Sequence, residues 1–132
     1  MSVIDGTTQH YTGAASELFA ASRFTARGHS VFFPIFTQSK ADFIADVEGT
    51  LMRIQVKTGT VLKGGYLQVR LGGCGRPTYG VGSVDLLAIV HRERLWVIPF
   101  TEDIRNKTSL CFQPEKTSRK LRNDFSQYEW KE

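Results

Sequence analysis

The chain has 132 residues, 41% of them hydrophobic and 23% charged, with a formal net charge of +4. That length lets a single domain bury a core without disulfide staples, and the composition excludes a disordered or fibrous chain. The basic excess is mild, so it permits nucleic acid as a partner without demanding it.

Residues 1–12 are polar and read as a lead-in. The run "TGAASELFAASRFTARG" is rich in alanine and free of proline, which predicts a helix that Thr12 caps and Gly28 ends. Within it Glu17, Ala20, Ala21 and Phe24 fall at i, i+3, i+4 and i+7, one continuous stripe for packing. A glutamate in a packed stripe is costly unless it is paired, binds a cation or sits at the edge in water.

"HSVFFPIF" follows as a strand, and Pro34 marks it as an edge or a bulge. Residues 41–58 alternate strictly and divide into two strands around Glu48-Gly49, a tight-turn dipeptide. Setting Val47 opposite Thr50 pairs Asp46 with Leu51, Ile44 with Arg53 and Asp42 with Gln55. Ala41, Phe43, Ala45, Val47, Met52, Ile54 and Val56 then share one face, which must be core. The other face gathers Lys40, Asp42, Asp46, Arg53, Gln55 and Lys57, with Ile44 and Leu51 among them. Such a face is ordinarily the solvated side of a hairpin. Here, with strands on both sides in the chain, we expect the helix bearing Glu17 to lie over it.

"GYLQVRLG" is a further strand, followed by the glycine-rich loop "GGCGRPTYGVGS". That loop lacks the Lys-Ser/Thr of a phosphate-binding P-loop. "SVDLLAIV" and "RLWVIPF" are two buried strands joined by the polar turn "HRER", which leaves His91 solvated; Asp85 interrupts the first of them in a structural role. A short helix starts near Thr101, and the end of the chain is helical or irregular. We expect one domain over residues 1–132, with its core at about 10–100 and an extension over 101–132. The fold class is α/β, a central mixed β-sheet flanked by helices.

Cys74 and Cys111 form no CxxC pair, and His10, His29 and His91 have no zinc-binding spacing. With no signal-peptide pattern and no membrane-length apolar run, the expectation is an intracellular, cytoplasmic protein without a membrane partner.

The order of a helix with glutamate, a strand, then "ADFIADVEGTLMRIQVKTG" resembles the PD-(D/E)XK nuclease superfamily and its restriction-endonuclease-like core. The likeness is nearest to small intron-associated homing endonucleases of cyanobacterial type, and more distantly to archaeal Holliday junction resolvases. By position it implies that Asp42 and Glu17 hold a metal, Mg2+ with Mn2+ as a substitute, and that Lys57 is the catalytic lysine. Gln55 stands where most relatives have Glu or Asp; its carbonyl oxygen can still face a hard cation, although a neutral amide weakens the site. Asp46 shares the face but lies farther from Lys57. The resemblance also implies double-stranded DNA as substrate, a homodimer or homotetramer, and an origin in a phage or mobile element. Lys40, Arg53, Lys63, Arg70, Arg76 and Tyr79 are candidate DNA contacts. A junction resolvase, another structure-specific nuclease and a non-catalytic DNA-binding module on the same fold stay open as alternatives.

Overall fold

A computed structural model describes residues 8–36, 39–71, 84–115 and 125–131. Helix α1 spans Gln9–Ala26 and so starts four residues earlier than the sequence pattern suggests, because its first turn is solvated and carries no apolar periodicity. Thr8, not Thr12, precedes it in extended conformation. The predicted stop is observed: Gly28 adopts φ +89°, its N–H donates to Thr25 O and the His29 N–H to Phe24 O. This is a Schellman closure, and the His29 ring packs 6.1 Å from Phe24 to complete it.

Five strands form the main sheet: β1 (Ser30–Phe32), β2 (Phe43–Val47), β3 (Thr50–Thr58), β6 (Leu86–His91) and β7 (Arg94–Pro99), in the order β1-β2-β3-β6-β7. Strand β1 stops before Pro34, which has no N–H for a ladder. The β2–β3 register is the one expected, with Val47 opposite Thr50, Asp46 opposite Leu51 and Ile44 opposite Arg53. Glu48 (φ 53°) and Gly49 (φ 89°) both occupy the left-handed region, as a two-residue hairpin turn that matches strand twist requires. Asp46 accepts the Gly49 N–H at 2.8 Å and is thereby part of that turn.

Among the described strands only β3 and β6 pair in parallel. Parallel neighbours need a crossover, and part of it is supplied by β4 (Thr60–Val61) and β5 (Leu67–Arg70). These two join β8 (Ser109–Phe112) in a second, three-stranded sheet, β4-β5-β8. The expected central mixed β-sheet with flanking helices is thus observed, and the small second sheet, which was not expected, covers part of the face opposite α1.

Alternation along the strands sorts the core accordingly. Ala20, Ala21 and Phe24 of α1 pack against Phe43, Ala45, Ile54, Val56, Ala88 and Val90. Leu87, Ile89, Trp96 and Ile98 point the opposite way, onto Leu67, Val69, Leu110 and Phe112. Burying Phe24, 1% exposed, contributes roughly 2–3 kcal/mol. The helix bearing Glu17 therefore lies over the apolar face of the β2–β3 hairpin, not over its polar face as anticipated.

The stretch after residue 100 is more than an extension. A short helix, α2 (Glu102–Arg105), starts where expected, with the Thr101 side chain accepting the Ile104 N–H. Strand β8 belongs to the second sheet, and Trp130 packs 4.5 Å from Phe24 while its N–H donates to Leu95 O. Arg23 donates to Trp130 O, Arg27 stacks 3.8 Å over the Trp130 ring, and Glu129 receives both arms of Arg94 at 2.8 Å. The end of the described chain is thereby held against α1 and β7.

Candidate active site

Strand β2 begins at Phe43, one residue after Asp42, and this offset creates the site. The Asp42 N–H still donates to Ile54 O at 2.8 Å, continuing the register. Its carboxylate then takes over where the β2 backbone has left: Oδ2 accepts the Val56 N–H at 2.7 Å and the Gln55 Nε2 at 2.8 Å. Two donors on one oxygen fix the carboxylate at the margin of β3, where groups from both sides of the sheet can reach it.

Glu17 reaches it from the helix side. Its carboxyl is hydrogen-bonded to that of Asp42, and its pKa is pushed up from 4.5 to about 7 by burial first, then by the hydrogen bond to Asp42 and the charge of Asp42. Beside the Asp42 carboxylate and partly buried, the Glu17 carboxyl thus keeps its proton to higher pH than an exposed glutamate would. Buried Ser16, next to Glu17, meets Thr58, next to Lys57, through hydroxyl oxygens 2.7 Å apart. This contact ties α1 to β3 beside both candidate catalytic side chains.

Lys57 comes from the sheet's polar side. Burial lowers its pKa, the Asp42 carboxylate opposes that shift, and the Lys40 charge reinforces it. Lys57 and Lys40 thus both lie within electrostatic reach of the site. Glu17, Asp42, Gln55 and Lys57 converge although they come from different faces of the sheet.

The donor set suits a hard cation of modest demand. Among the described residues no three His, Cys, Asp or Glu side chains gather, so two carboxyls and the Gln55 amide are what those residues offer at this place. Mg2+ keeps several waters and is commonly bound by one or two carboxylates.

The remaining candidates are dispersed. Arg53 lies on the polar face near Gln55, but its guanidinium is engaged: Nε and one Nη donate to the two oxygens of Asp85 at 3.0 and 3.1 Å. Asp85 also accepts the Arg53 backbone N–H at 2.8 Å and returns its own N–H to Arg53 O, extending the β3–β6 ladder before β6 begins. Lys63 and Arg70 are exposed toward opposite ends of β5, on the second sheet. Arg76 and Tyr79, with the rest of the glycine-rich loop, lie outside the described residues. His91 is corrected from a solvated turn residue to the last residue of β6, half-buried, with Nδ1 3.2 Å from Gly59 O.

The Ser16–Thr58 contact and the Asp85 fork escaped the sequence reading. For Ser16 the available signal was its place beside Glu17 on a stripe of small residues.

Three comparisons with known proteins bear on the family and the fold. The family described as PD-(D/E)XK endonuclease matches residues 7–131. Protein 5.3 of Escherichia phage T7 is 43% identical over 106 residues, covering 78% of this chain and 89% of its own length. Among solved structures, the bacterial homing endonuclease I-Ssp6803I superposes with a TM-score of 0.71 at 24% identity, covering 92% of this chain and 86% of its own. At that identity the last likeness is one of fold.

Proposed function

The chain belongs to the PD-(D/E)XK endonuclease family, and from that premise we propose that it is a Mg2+-dependent endodeoxyribonuclease of the site-specific homing type. The observation that carries this reading is the Asp42 carboxylate held by the Gln55 amide and the Val56 N–H, with Glu17 and Lys57 both within its electrostatic reach. When bound by Asp42, Gln55 and Glu17, a divalent cation (Mg2+, or Mn2+ in its place) would neutralise phosphate charge and acidify a water.

The chain's own groups account for the rest. Asp42, clamped by the Val56 N–H and the Gln55 amide, is oriented before substrate arrives, so no reorganisation is needed during the reaction. Lys57 sits where it can position the attacking water and carry positive charge against the phosphate. Its lowered pKa also raises the fraction able to accept a proton. Gln55 contributes a neutral oxygen where an acid is usual, so the site binds its cation more weakly than a three-carboxylate site would.

One such site cuts one strand. Cleavage of a duplex therefore calls for a homodimer or homotetramer. An intracellular setting, with DNA in reach, follows from the same reading; no helix among the described residues is long and apolar enough to cross a membrane.

The test is a cleavage panel of duplex DNA and four-way junctions in Mg2+, with ends mapped. The proposal expects duplex cuts at a defined site, lost in Lys57→Ala while DNA binding stays. Symmetric nicking confined to junctions would replace it with a resolvase. Binding without cleavage of any substrate would replace it with a non-catalytic module.

A further inference from the structure

The two outer edges of the main sheet are treated differently. Along β7, Glu129 bridges to Trp96 and the Trp130 N–H donates to Leu95 O, so the end of the described chain covers that edge. Along β1 no described strand pairs outside, because β1 is the last strand in the order and has only β2 as neighbour. A short strand ending near a proline is one way a protein blunts an edge. Here, however, the flanking side chains are apolar where a guarded edge would carry charge.

Phe32 and Phe33 are each 54% exposed, Phe36 67% and Ile35 100%. Phe32 is the last residue of the edge strand, and Phe33, Ile35 and Phe36 follow it directly in the chain. Val31 and Phe33, with Leu18 of α1 (65% exposed), line a groove of about 690 Å³ between helix and strand. Phe32 points to the opposite face, where its cross-strand neighbour is Ile44. Taking ~200 Å² for a large side chain, these five residues present on the order of 600 Å² of apolar surface. That is at the top of what a monomer ordinarily exposes and close to the ~800 Å² per partner of a standard interface.

We propose that β1 is the self-association edge of this protein: β1 of a second copy pairs antiparallel with it about a two-fold axis, and Leu18, Phe32 and Phe33 pack across the seam. An edge strand with apolar side chains on both faces is self-complementary under such an axis, since each copy offers what the other lacks. The few hydrogen bonds that three residues can make set the register, and the apolar flanks supply the binding free energy. This assignment rests on the nuclease reading for its purpose, a second active site on the same duplex, and on the exposed edge for its location.

Sedimentation equilibrium of the whole chain tests it, with Phe32→Glu, Leu18→Glu and, on the second sheet, Val61→Glu. The wild type should sediment at twice the chain mass at ~10 μM. Phe32→Glu and Leu18→Glu should each weaken the dimer by ~10-fold or more, as loss of one central apolar anchor does, while Val61→Glu should not. Circular dichroism confirms that each variant is folded. For the unmodified chain, hydrogen exchange at residues 31–33 should slow as concentration rises. A monomer at ~100 μM, or a dimer that survives both substitutions with no concentration dependence at β1, overturns the proposal. A dimer that cleaves no DNA would leave this interface standing and remove the nuclease reading; a monomer that cuts both strands would do the reverse.

Discussion

Titrating the protein without metal should cost it stability as pH rises through neutrality. The Glu17 pKa is raised from 4.5 to about 7 in the folded state. A raised carboxyl pKa stabilises the fold fully below the unfolded value, and that contribution is lost as pH rises through the folded value. At full weight the difference is worth ~3 kcal/mol. Glu17 is only half-buried, so solvent screening reduces the figure to about 1 kcal/mol. For a domain of this size that is a fall of roughly 3–5 °C in Tm. Differential scanning calorimetry in EDTA should show this fall developing above about pH 5 and complete near pH 8. Millimolar Mg2+ should abolish it, because the cation replaces the proton on Glu17. Glu17→Gln, which mimics the protonated carboxyl, should remove the pH-dependent difference without metal. If wild type and Glu17→Gln lose stability in parallel between pH 5 and 8, the two carboxyls are not coupled and the reasoning fails.

Three further outcomes follow from contacts at the site and beneath it. Gln55→Glu should tighten Mn2+ binding at pH 8 by ~10-fold or more, since a full charge beside a divalent cation is worth several kcal/mol even when screened. The same variant should lower the metal-free Tm, because the Nε2 donation to Asp42 at 2.8 Å becomes a like-charge contact; isothermal titration and thermal melts read the two effects. Ser16→Ala should cost about 1 kcal/mol in urea unfolding through loss of its hydroxyl contact with Thr58, and should also weaken Mn2+ binding a few-fold, a readout that a purely structural contact would leave unchanged. Phe24→Ala removes a ring packed against Phe43 and Trp130 and should cost about 3–5 kcal/mol; a cost under ~1 kcal/mol in urea would mean that α1 does not pack as described.

Much of the hairpin was legible because alternation with period two leaves little freedom. Once Glu48-Gly49 is taken as the turn, Ala45 must face Met52 and Ile44 must face Arg53, as observed. The helix stripe of Ala20, Ala21 and Phe24 was equally clear, since small and apolar residues at helical spacing have few uses besides packing. What alternation cannot say is which neighbour covers which face. Glu17 was therefore expected over the polar side, whereas α1 packs on the apolar side and Glu17 meets Asp42 at the margin where β2 begins. The second sheet was missed for a related reason: β4 has two residues and β8 four, too short to carry a periodic signal, and β8 lies far in sequence from its partner β5. The Arg53–Asp85 fork was hidden too, because 32 positions separate residues that only the parallel β3–β6 pairing brings together.

The account stands on Glu17, Asp42, Gln55 and Lys57 acting as a single cation-dependent centre. Its most direct test is Mn2+ titration followed by electron paramagnetic resonance, run beside DNA cleavage on the same samples, for wild type and Asp42→Ala. The prediction is stoichiometric Mn2+ uptake that tracks cleavage in the wild type and disappears, with cleavage, in Asp42→Ala. Undiminished Mn2+ binding in Asp42→Ala, or cleavage that persists in EDTA, would contradict it.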